Sequence, residues 1–192
     1  MNASSAAWAA LGLGLVLAGL LTLARLRPSR GGGLTSPQWM LLLGSAGMAV
    51  GLALDAWFGG LEVLAALCTG PASFAGMLSL HLQQLPLAHA GMVAGGLAVV
   101  RLMPRLRRGC RRQLCAQVGQ NLVCSAWMVV GMAAGSLLFL QLAGWAQAVR
   151  DPAVVMAGMF AGMVWGMVAS VSLVQALVRL RYAGLPDARR RP

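Results

Sequence analysis

The sequence predicts an all-α integral membrane protein: a bundle of about five transmembrane helices with a short extra helix between the second and third spans. Three observations predict it. Hydrophobic residues make up 59% of the 192 positions and charged residues only 10%, against about a quarter charged in ordinary soluble domains. The apolar stretches run repeatedly to about 20 residues, the length a bilayer core requires. All fifteen basic residues are arginine, and they gather at the ends of those stretches.

A net charge of +11 raises nucleic acid as a partner. No soluble domain remains to carry such binding, so the arginines read as orientation signals and contacts to anionic lipid. The expected partners are the lipid bilayer and another membrane protein or a second copy of the chain, not nucleic acid. The whole of 1–192 reads as one polytopic domain.

The first span is expected over residues 5–24. No positive charge precedes it and Arg25, Arg27 and Arg30 follow it, which is the reverse of a cleavable signal. It therefore reads as a retained helix with its N-terminus outside. The linker that follows contains three glycines and two prolines, residues that break helix. The second span, 39–58, carries Trp39 and Trp57 near its ends, where aromatic rings favour the interface. Residues 59–70 read as a loop, and Pro71 suits the first turn of a new helix.

From Ala72 to Leu102 the only strong break is Pro86. That length, about 46 Å as helix, is too long for one straight crossing. Dividing it at Pro86 gives a surface or shallow re-entrant helix over 72–84 and a third span over 86–103. The first piece has a mixed face of Ser73, Met77, His81 and Gln84 opposite an apolar face of Phe74, Leu78, Leu82 and Leu85, the spacing of an interfacial helix.

The fourth and fifth spans are expected over 120–141 and 153–176. Fourteen arginines fall on one side of this arrangement, and only Arg150 on the other. The positive-inside rule then sets the N-terminus out and the C-terminus in, as in the plasma membrane of a bacterium (its inner membrane).

Glycines four apart recur within the spans: Gly47 and Gly51, Gly91 and Gly95, Gly131 and Gly135, and Gly158, Gly162 and Gly166. Lipid gives helices no hydrophobic reason to associate, so small residues that permit close approach are expected at helix contacts. Beside the last set run Met156, Met159, Met163 and Met167. Such a stripe is read first as packing between glycine grooves, and second as ligands for a soft metal.

Chemistry concentrates between Asp55 and Met92. Asp55 and His89 each lie about one turn inside the outer ends of their spans, so they are expected to pair across the bundle. Met77 with His81, and His89 with Met92, are spaced to share helical faces. Together Met77, His81, His89, Met92 and Asp55 make a candidate site for copper or another transition-metal ion, with Glu62 and Cys68 on the intervening loop. The plainer reading makes Asp55 and His89 a structural pair and His81 a wet interfacial residue. A proton-coupled role for the pair is a third. No nucleophile stands beside a base, and the spacing matches no zinc motif.

Cys110 and Cys115 read as ordinary thiols, and Gln120 and Asn121 as caps or interhelical hydrogen-bonders. The function expected is a non-enzymatic accessory, assembly or scaffold subunit docked through its glycine grooves. The alternative is a copper-type binding or transport protein using the outward-facing His/Met/Asp site.

Overall fold

The structure, a computed structural model, describes residues 3–26, 35–59, 73–102, 111–145 and 152–183. Within them the chain is all helical, with six helices: α1 (Ala3–Leu26), α2 (Ser36–Gly59), α3 (Phe74–Gln84), α4 (Pro86–Leu102), α5 (Arg111–Trp145) and α6 (Pro152–Ala183). Glu62, Cys68, Pro71, Cys110, Arg105 and Arg150 lie outside the described residues.

Four helices contain stretches long and apolar enough to cross a membrane: Ser5–Leu26, Ser36–Gly59, Val118–Gly144 and Ala153–Leu177. The apolar stretch of α4, Pro86–Val99, is shorter. Its 17 residues rise about 26 Å, somewhat less than the hydrocarbon thickness of a bilayer. α5 and α6 are longer than expected from apolarity alone, because helix continues into polar sequence at Arg111 and Arg181.

Two antiparallel pairs form the body. In the first, Gly47 of α2 meets Gly91 of α4, Gly51 meets Leu87, and Gly95 meets Leu43. In the second, Gly131 of α5 meets Gly162 of α6, Gly135 meets Gly158, and Gly166 meets Trp127. At each of these glycines an added Cβ would overlap the facing backbone carbonyl. The absent side chain is what lets two backbones touch, and such contact supplies the dispersion energy that lipid does not.

α1 lies along α6. The Trp165 indole donates to the Leu15 carbonyl at 3.1 Å, and the Gln175 amide donates to the Leu26 carbonyl at 2.9 Å. The two pairs are joined by α3 and α4 packing on α5. There the buried Asn121 amide donates to the Gly96 carbonyl at 3.2 Å, which gives this asparagine an interhelical role.

α3 begins at Ser73, whose hydroxyl accepts from the Gly76 amide at 3.2 Å. That N-cap satisfies an amide with no partner inside the helix. α3 and α4 form one bent rod. The Leu85 amide donates to the His81 carbonyl, and the His89 amide to the Leu85 carbonyl. Only Leu85 leaves helical geometry, at φ −125° and ψ 49°, as the residue before a proline is pushed to do.

The helix expected over 72–84 is present as α3. Its mixed face is the inner one, with Met77 and His81 both at 0% exposure, while Phe74 and Leu82 are 40% and 51% exposed. The exposed side of α3 carries Ser79 and Gln83, hydrogen-bonded to each other at 3.2 Å, as well as Phe74 and Leu82.

Candidate functional site

Pro86 carries no amide hydrogen, and the bend it imposes strips the next residues of their intrahelical partners. Asp55, buried at 6% exposure, fills the gap. Its Oδ1 accepts from the Leu87 amide at 3.1 Å and its Oδ2 from the Ala88 amide at 2.8 Å. A carboxylate of α2 thus caps the N-terminus of α4, where unpaired amides and the helix dipole favour negative charge. In a site away from water, each unmatched amide would cost several kcal/mol.

The capping corrects the expected Asp55–His89 pair. Asp55 spends both oxygens on backbone, and His89 turns elsewhere. The His89 Nδ1 lies 2.6 Å from the Leu85 carbonyl oxygen. A carbonyl only accepts, so Nδ1 carries the proton and Nε2 is left with a bare lone pair. That Nε2 is buried and without a hydrogen-bond partner.

His81 stands beside it. The two rings meet edge to face, with centroids 6.2 Å apart and planes at 86°. His81 Nε2 lies 3.1 Å from the Ser136 hydroxyl of α5, while its Nδ1 is buried and unpartnered. When Nε2–H donates to Ser136, Nδ1 presents a second lone pair. A histidine held through one ring nitrogen, with the other free, is the arrangement that prepares an imidazole for a metal.

Thioethers gather on the His89 side of the pair. His89 packs with Met48, Met132, Met159, Leu85 and Ala88 around a void too small for a water molecule. Met77 shares the buried face of α3 with His81, and Met92 is fully buried on α4. Met92 Cγ and Met128 Cε both approach Gly44, the level just beyond the cavity. Among the described residues, no three His, Cys, Asp or Glu side chains converge. The donors placed at this position are two imidazoles and thioether sulfur.

No protein family, curated protein or solved structure matches the chain. The site has to be read from its own chemistry.

Of the residues singled out by sequence, His81 and His89 come together, and Met77 and Met92 are buried on the same bent rod. Asp55 adjoins them as a cap on the amide of Ala88, one residue before His89. The sequence carries no signal for Met48, Met132 and Ser136, and it offers Met159 first as packing and second as a soft-metal ligand. Isolated apolar or hydroxyl residues on α2 and α5 carry no local signal. Only the pairing of helices reveals that they face the histidines.

Proposed function

We propose that the protein is a non-enzymatic, multi-pass protein of the bacterial inner membrane that binds Cu(I) between His81 and His89. The observation that carries this reading is the pair of adjoining imidazoles, each tethered through one nitrogen and each leaving the other nitrogen buried without a partner. A buried polar atom left unmatched is costly unless something meets it. Two of them beside three thioethers form a set of soft, neutral ligands, the kind that selects Cu(I) over hard divalent ions.

Charge supports the monovalent ion. The solvation lost on burial grows with the square of the charge, and the thioethers and imidazoles bring no negative charge of their own. Asp55, fixed on the amide next to His89, supplies one counter-charge at the same end. Met48, Met132 and Met159 close round His89 without room for water, so an ion held there would be met by sulfur and nitrogen alone.

The arginine distribution supports five crossings, α3 and α4 serving together as the third, with the N-terminus outside and this site in the outer half of the bundle. The docking-scaffold reading loses its main motive. The glycines that were to receive a partner helix face one another inside this chain.

Purified protein exposed to Cu(I) under reductant should hold it close to stoichiometrically, with nitrogen and sulfur scatterers in X-ray absorption. His81→Ala combined with His89→Ala should abolish retention while helicity stays unchanged. Protein that takes up no Cu(I), or a double variant that holds as much as wild type, overturns the reading.

A further inference from the structure

Methionine and leucine are nearly equal in volume and hydrophobicity, and a lipid-facing surface accepts either. In this protein they are sorted. Nine methionines are 2% exposed or less. Eight of the eleven largest fully buried side chains are methionine, and among the described residues no methionine is a large exposed hydrophobic, whereas leucine supplies many. Transfer energy does not separate the two residues; the flexible, polarisable thioether of methionine does.

The buried thioethers also form a sequence of levels. At the histidine end lie Met48, Met132 and Met159. Next come Met92 and Met128, both reaching Gly44. Beyond them Met40 Cε comes within 3.9 Å of the Cβ position of Gly96, beside the Ser125 hydroxyl. On α6, Met159, Met163 and Met167 step one turn at a time along the same core cluster. At the far end the Cys124 thiol, buried, lies 3.2 Å from the Ser170 hydroxyl. From Ser136, which holds His81, to Cys124 is about 18 Å along α5.

We propose, building on the Cu(I) site of the preceding section, that this column is a route: Cu(I) passes from the His81–His89 pair to Cys124 by exchange between thioethers. Each step swaps one sulfur ligand for the next and keeps the ion coordinated, so no water-filled pore is required and hydrated cations are refused. Neutral, polarisable ligands hold a soft ion weakly enough to release it. No bond to carbon changes and no electron moves, so the ion enters and leaves as Cu(I).

The test uses the full chain in sealed vesicles, Cu(I) kept reduced with ascorbate outside and a Cu(I)-chelating dye inside. Two variant pairs, Met128→Leu with Met163→Leu, and Met40→Leu with Met167→Leu, remove sulfur at conserved volume and leave the histidine site untouched. Wild type should colour the dye progressively. Each pair should fall to the rate of empty vesicles while binding as much Cu(I) in detergent as wild type does. Dye entry that persists in both pairs, or a wild type that binds Cu(I) but passes none, overturns the route and leaves the binding site standing. A wild type that binds no Cu(I) removes both.

Discussion

The two helix pairs are built alike and finished differently. α2 with α4, and α5 with α6, are both antiparallel, and both bring backbones together at glycines spaced four apart. The α5–α6 pair is continuous helix throughout its contact, with every turn matched internally. The α2–α4 pair instead ends at a proline bend whose two freed amides are met by Asp55. The difference teaches where chemistry enters such a bundle. Regular helices satisfy their own backbone and leave nothing for function to use. A break exposes polar groups, demands a charged partner, and swings His81 and His89 to face each other across the bend.

If that contrast is sound, removing Asp55 should have the largest effect. Asp55→Leu leaves two amides unmatched and should cost about 3–5 kcal/mol of stability, read as a lowered unfolding midpoint in detergent. Pro86→Ala should suppress part of this loss, because alanine restores an amide and lets the rod straighten. Independent, additive effects of the two changes would break the account of the bend.

The glycine contacts should not distinguish the pairs. Gly47→Ala and Gly162→Ala each place a methyl against a facing carbonyl, and each should cost about 1–3 kcal/mol as the helices separate. A marked inequality would mean that one pair is held mainly by something other than backbone contact. The smallest effect belongs to the bridge between pairs. Asn121→Ala removes the hydrogen bond to Gly96 and should cost about 0.6 kcal/mol, typical of interhelical bonds in membranes. A larger loss would make Asn121 a principal tie between the two pairs.

Much of the helical layout was legible in the sequence because length and apolarity alone decide whether a helix is able to cross a bilayer. The break at Pro86 was legible too, since a missing amide is a local property. What Asp55 would do was not. The same residue spacing serves a side-chain pair with His89 or a cap on backbone amides, and only the geometry of Leu85 exposes the amides. The inward face of α3 was misjudged for a related reason. Met77 and His81 look like a water-facing stripe until α5 is seen to supply Ser136. Met48 and Met132 were silent because nothing in their own neighbourhoods distinguishes a ligand from a filler.

The clamp at the bend also bears on how the chain is made. Asp55 precedes its amide partners by 32 and 33 residues, so it leaves the ribosome well before them. A lone carboxylate in a spanning helix costs about 2.5–3.5 kcal/mol until it is met. Closure of the clamp, once residues 87 and 88 arrive, is the event that meets that charge and fastens the two helices as a hairpin.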